Sequence, residues 1–191
     1  MAGAEAEIRP FASAAAWEAW LAENHASTQA IWLQIAKKGS GIETVTYDEA
    51  LDIALCYGWI DGQRRTHCEK YFIQRFTPRR PRGLWSKRNV AKVAELIEAG
   101  RMRPSGLAEI EAAQRDGRWA AAYDSQKDMV VPEDFLLAVR ASAPAAAHFA
   151  TLKRTGLYVI GFRLHNARTP ETRARRFAAM LEKLERGEDP G

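Results

Sequence analysis

Residues 58–89 read GWIDGQRRTHCEKYFIQRFTPRRPRGLWSKRN, and the fold turns on this stretch. Tyr71–Thr77 is rich in aromatic and β-branched residues and Trp59–Arg65 opens with Trp59 and Ile60, residues that fit a pleated, half-buried surface. Thr66-His67-Cys68-Glu69 between them is short and polar, so the two runs predict an antiparallel hairpin. Pro78 and Pro81 then break the extended pattern, and from Ser86 onward the apolar residues recur at helical spacing.

Upstream of the hairpin, Ser13 is a helix cap ahead of Trp17, Trp20 and Leu21, which recur at steps of three and four. Ala30–Ile35 is a short apolar run that stops at Lys37-Lys38-Gly39-Ser40-Gly41, a strand followed by a turn. Thr46-Tyr47-Asp48-Glu49 is a capping box: the Thr hydroxyl can accept from the Glu amide while the Glu carboxylate accepts from the Thr amide. The helix it opens runs through Leu51, Ile53, Ala54 and Leu55 to Gly58, a residue suited to a left-handed stop.

Downstream, Ser86 caps a predicted helix carrying Val90, Val93, Ala94 and Ile97 and closed by Gly100. Ser105 caps another, with Leu107 and Ile110, closed by Gly117. Pro132 stands where a helix would begin, ahead of Phe135, Leu136 and Val139. Pro144 opens a short alanine-rich helix reaching Phe149 and Leu152. Leu157, Ile160 and Leu164 share one helix face, and Thr169-Pro170-Glu171 starts a last helix burying Phe177, Met180, Leu181 and Leu184. The expected fold is α+β: a small mixed α/β front half with a β-hairpin, residues 1–85, packed on an all-helical C-terminal half, residues 86–191.

At 191 residues, with 47% hydrophobic and 27% charged residues, the chain can bury a core without covalent staples. Its two cysteines, Cys56 and Cys68, form no CxxC pair and suggest reduced thiols. The N-terminus has no basic segment leading into a continuous apolar run, and no stretch is apolar for the length a spanning helix needs. A cytoplasmic chain without a membrane span is expected. Charge is polarised: residues 63–103 hold 12 Lys/Arg and three Asp/Glu, a local +9 within a net +4, which leaves the rest at −5. Such a field draws anions, whether phosphate metabolites, nucleic acid or an acidic protein.

The candidate site lies in the basic stretch. Within a hairpin, Asp61 falls within a residue or two of opposite Arg75, a register that sequence alone leaves open. Their ion pair reads either as a carboxylate orienting Arg75 for a ligand or as a structural cross-strand pair. Arg79-Arg80-Pro81-Arg82 follows Thr77-Pro78; the two prolines stiffen the loop, and arginine forks match phosphate and carboxylate geometry. Lys87 extends the positive surface, and Trp59 and Trp85 are expected as stacking walls. The histidines, His25, His67, His148 and His165, are dispersed, and no HExxH, Walker, GxSxG or GxGxxG pattern occurs. No metal, cofactor or catalytic constellation is expected.

Several segments together resemble the YdeI/OmpD-associated family, also known as the bacteriocin-protection family. They are Tyr47–Leu51, Cys56–Gly62, Gln74–Arg80, Trp85–Asn89, Gly100–Met102, Asp116–Trp119, Tyr123-Asp124 and Pro170–Arg176, and the resemblance covers roughly residues 11–187. It implies a role in bacterial resistance to cationic antimicrobial peptides or bacteriocins, with a porin as a partner. It brings no reaction and no cofactor. Its motif positions, Thr77 and Asn89 among them, enter only as candidate binding residues.

Three function classes follow. The first is a cytoplasmic, non-enzymatic stress-protection protein holding an anionic small molecule or acidic partner through Arg75, Arg79, Arg80 and Lys87. The second is a nucleic-acid binder, because basic charge interleaved with aromatics suits single strands. The third is an enzyme with Asp61 and Cys68 as its reactive groups.

Overall fold

The computed structural model describes residues 6–191; residues 1–5, used above in reading the N-terminus, lie outside it. The chain divides into two compact units. One holds the chain up to Trp85 together with Asn89–Ala121, and the other holds Ser86–Arg88 and Ala122–Gly191.

The first unit is built on a four-stranded sheet of order β1-β2-β4-β3, with β1 at Ile8–Pro10, β2 at Ile31–Ala36, β3 at Trp59–Thr66 and β4 at Tyr71–Pro78. β3 and β4 form the expected hairpin. β1 pairs parallel to β2, with Ile8 opposite Trp32, and the other pairings are antiparallel. β1 was not legible in the sequence: it is three exposed residues ending in a proline, which an edge strand tolerates.

Strand alternation sorts the sheet. Ile31, Leu33 and Ile35 on β2 stand opposite Phe76, Gln74 and Phe72 on β4, so these residues share one face. That face packs on helix α1 (Ala14–Asn24), whose Trp17 ring lies 5.7 Å from that of Phe76. Helix α2 (Tyr47–Cys56) is fixed to α1 by the Trp17 indole, which donates to the Ala50 carbonyl at 3.1 Å. Trp17, Leu21, Leu33, Leu51 and Phe76 are buried at the centre. Both expected caps are present: the Ser13 hydroxyl accepts from the Ala16 amide, and Thr46 and Glu49 close the capping box.

Two helices follow, α3 (Lys87–Glu98) and α4 (Pro104–Arg115). α3 buries Asn89, Val93 and Leu96, leaving Ile97 47% exposed, so its inward face is turned by one residue from the expected Val90–Ile97 stripe. α4 begins before Ser105, with Arg103 at the cap and Pro104 in the first turn, where a missing amide hydrogen costs nothing. α4 approaches the end of α2 closely. A Cβ on Gly106 would stand 2.3 Å from the Cys56 carbonyl oxygen, and the Arg103 amide donates to that same oxygen at 3.1 Å.

The second unit is helical. α5 (Glu133–Ala141), α6 (Ala143–Phe149), α7 (Arg154–His165) and α8 (Pro170–Glu185) surround a core of Phe135, Val139, Ala145, Ile160, Leu164, Met180 and Leu184. The whole is α+β, with the sheet in the front half and helices filling the back. No helix among the described residues is long and apolar enough to cross a membrane.

Candidate functional site

A β-bulge organises the hairpin. Asp61 stands opposite Phe76 and Arg64 opposite Gln74, so β3 carries one residue more than β4 between those pairs. The bulged carbonyls need donors, and buried Gln74 supplies them: its amide nitrogen donates to the Gly62 oxygen at 2.9 Å and to the Gln63 oxygen at 3.3 Å. The extra residue also resets which arginine meets which face. The Arg64 guanidinium lies over the Phe72 ring at 3.8 Å, and that of Arg65 over Trp32 at 4.7 Å.

On the hairpin and the loop after it, Asp61, Arg75, Thr77, Arg79, Arg80 and Gly83 line a cavity of about 320 Å³. Five of the candidate residues therefore converge: Asp61, Arg75, Thr77, Arg79 and Arg80. Asp61 sits beside the residue opposite Arg75, as expected, but no Asp61–Arg75 ion pair occurs among the described residues. Its carboxylate accepts from the Tyr47 hydroxyl at 2.8 Å. Exposed Arg80 and half-buried Arg75 bring their charge to the cavity wall.

The other four candidates are placed differently. Trp59 is 1% exposed and donates its indole hydrogen to the His25 carbonyl at 3.1 Å, so it belongs to the core. Trp85 is 2% exposed; one face carries the Arg79 guanidinium at 3.5 Å, and Trp119 lies 4.9 Å away. Neither indole stands open as a stacking wall: Trp59 packs among the rings of Trp17 and Trp20, and Trp85 lies against Arg79 and Trp119, where burial removes their large apolar area from water. Asn89 is buried in α3. Lys87 belongs to the second unit, where its ammonium pairs with Asp124 at 2.7 Å. Arg79 is itself 8% exposed, and its Nη1 donates to the Leu84 carbonyl at 3.3 Å, so it shapes the loop as well as lining the cavity.

Of the two candidates for reactive groups, Asp61 lines the hairpin cavity and Cys68 lies outside it. Cys68 is exposed in the hairpin turn, and burial pushes the Cys56 thiol up from its usual range. No cluster of three or more His, Cys, Asp or Glu that could hold a metal occurs among the described residues.

A second, larger cavity of about 1150 Å³ opens where the loop after β2 meets the starts of α1 and α2. Lys37, Lys38, Ser40 and Arg64 line it. In the sequence Lys37–Gly41 reads only as a turn; the lysine pair beside two glycines is the available signal, and Arg64 comes to the cavity from a distant strand.

The fold and the converging arginines define a two-unit α+β protein with a basic, cavity-bearing hairpin. Comparison with known families gives this a place: the chain belongs to the family described as a domain of unknown function (DUF8412), whose model matches residues 9–109. Residues 128–187 match a second family model, described as bacteriocin-protection, YdeI or OmpD-associated. The resemblance expected from the sequence is met on that C-terminal part, while the front-half segments quoted for it, Tyr47 to Asn89, lie in the stretch matched by the first model. No curated protein and no solved structure matches the chain.

Proposed function

We propose that this is a cytoplasmic bacterial protection protein of the bacteriocin-protection type, and that it works by binding an anion without chemical turnover. The ligand is a phosphate- or carboxylate-bearing small molecule, or an acidic group of a protein partner, held in the hairpin cavity. One observation carries the reading: Arg75, Thr77, Arg79 and Arg80 line the same small cavity, and the one carboxylate among its lining residues, Asp61, is already held by the Tyr47 hydroxyl. Guanidinium forks supply bidentate donors, and Thr77 adds a hydroxyl. The match to the bacteriocin-protection family supports the protective role; the arginines support the anion.

The test is calorimetry with inorganic phosphate and citrate at low and high salt. Binding that weakens with salt, and that falls about ten-fold or more in Arg75→Gln combined with Arg80→Gln, is expected from the loss of charge-assisted contacts. Affinity unchanged in that double variant, or no binding of either anion, overturns the reading.

A further inference from the structure

The cavity beside the β2–α2 loop has a different chemistry from the hairpin cavity. Its volume, about 1150 Å³, is several times what a bare phosphate fills. Lys37, Lys38 and Arg64 bring three cations to its lining, against the carboxylates of Glu43 and Glu49. Glu49 is committed elsewhere: its Oε2 accepts from the Thr46 amide at 2.9 Å and from the Thr46 hydroxyl at 2.7 Å, closing the cap of α2. Glu49 keeps its negative charge, so three cations face two carboxylates and the wall carries a net +1, with Glu43 the acceptor not engaged in the cap.

Two features separate this wall from a solvated lysine loop. First, Arg64 is backed by Phe72, whose ring lies 3.8 Å from the guanidinium carbon. A guanidinium stacked on one face keeps its plane fixed and offers the other face to a second flat group. Second, the lysines lead into Gly39-Ser40-Gly41, where Gly39 and Gly41 hold φ of +81° and +73° with nothing within 4 Å of an added Cβ. The glycines are there for the backbone conformation and leave the space above the loop open.

We infer that this cavity is a second ligand site, separate from the hairpin cavity, and that it takes a nucleoside phosphate. The phosphate meets Lys37 and Lys38, the planar base lies on the open face of Arg64, and Glu43 accepts from sugar hydroxyls. The lysines give affinity for charge, and the Arg64–Phe72 stack separates a nucleotide from a simple anion.

Calorimetry on the full chain with AMP, adenosine and inorganic phosphate tests this. AMP is expected to bind more tightly than either of the others. Lys37→Gln with Lys38→Gln should weaken AMP about ten-fold or more while leaving adenosine unchanged. Arg64→Gln should weaken AMP and adenosine more than it weakens phosphate, which loses one cation of three. Arg64→Lys, which keeps the charge and loses the plane, should weaken AMP and adenosine while leaving phosphate unchanged, and guards against a folding defect in the first variant. Arg75→Gln with Arg80→Gln should remove only a second, weaker AMP event at the hairpin and keep the tight one, so failure here and failure of the hairpin site are told apart. AMP binding no tighter than phosphate, or AMP affinity lost in the hairpin double variant and kept in the lysine one, overturns the inference.

Discussion

The Tyr47 hydroxyl donates to Asp61 Oδ2 at 2.8 Å, tying the first turn of α2 to the strand that carries the bulge. Tyr47 lines the larger cavity and Asp61 the smaller, so the hydrogen bond joins a lining residue of each. Tyr47→Phe removes a donor to a partly buried carboxylate and should cost about 1.5 kcal/mol in urea unfolding. Asp61→Asn keeps an acceptor for Tyr47 while removing the negative charge from the hairpin cavity. It should therefore lose less stability than Tyr47→Phe and bind phosphate more tightly than wild type, measured by calorimetry.

The contact between α4 and the end of α2 has no slack. A Cβ on Gly106 would stand 2.3 Å from the Cys56 carbonyl oxygen, a backbone atom that cannot swing aside. Gly106→Ala should destabilise by about 3 kcal/mol, near the upper range for overpacking. Gly100→Ala, at φ +65° with open space around it, should cost only about 1 kcal/mol for backbone strain. Thermal unfolding of the pair separates crowding from conformation, and equal losses would show that the close approach is not rigid.

How far the sequence carried these features depended on whether the signal was local. The hairpin, the Ser13 cap and the Thr46–Glu49 box were readable because each rests on residues within a few positions of one another. The bulge was not, since a period of two says nothing about where an extra residue enters; only Gln74, folded back from the partner strand, shows which carbonyls were left unpaired. Helix α3 was read one residue out of phase because Asn89 and Leu96, and not Val90 and Ile97, turned inward. The larger cavity was invisible for a topological reason: Lys37, Lys38, Arg64 and Phe72 come together only once β2, β3 and β4 pair. The indoles of Trp59 and Trp85 misled because an aromatic next to arginines reads alike whether it is wall or core.

The Arg79 guanidinium carbon lies over the Trp85 ring at 3.5 Å, closer than a point charge requires. Arg79→Lys should therefore fail to restore what Arg79→Ala loses, because an ammonium cannot reproduce a planar contact or the reach of Nη1 to the Leu84 carbonyl. Both variants should lower stability by about 1–2 kcal/mol and change tryptophan fluorescence. Full rescue by lysine would mean that charge alone holds the loop.

The two thiols should differ sharply toward a thiol reagent. Cys68 is exposed, whereas Cys56 is 2% exposed and burial pushes its thiol up, so its thiolate is scarce near neutral pH. Ellman titration of the native protein should show one fast thiol, lost in Cys68→Ser, with the second appearing only on unfolding. Two fast thiols in the native protein would show that the end of α2 opens readily.

In the helical unit, Arg173 grips Asp134 with both nitrogens, Nη1 to Oδ2 at 2.7 Å and Nη2 to Oδ1 at 3.0 Å. The hydrogen bond from Arg173 holds the Asp134 carboxyl below its ordinary range, and its place in the first turn of α5 favours the charged form as well. A folded-state value below the unfolded one means the stabilisation is complete above the unfolded value and is lost as pH falls through the folded one. The side chains are 37% and 52% exposed, so solvent screening keeps the gain to about 0.5 kcal/mol. Asp134→Asn should be less stable than wild type by that amount at pH 7, and the gap should close in acid once the wild-type carboxyl is protonated. Urea unfolding of both proteins from pH 7 down to about pH 2 reads this directly, since ordinary carboxylates are protonated by then. A gap that stays constant across that range would assign the loss to packing and not to the ion pair.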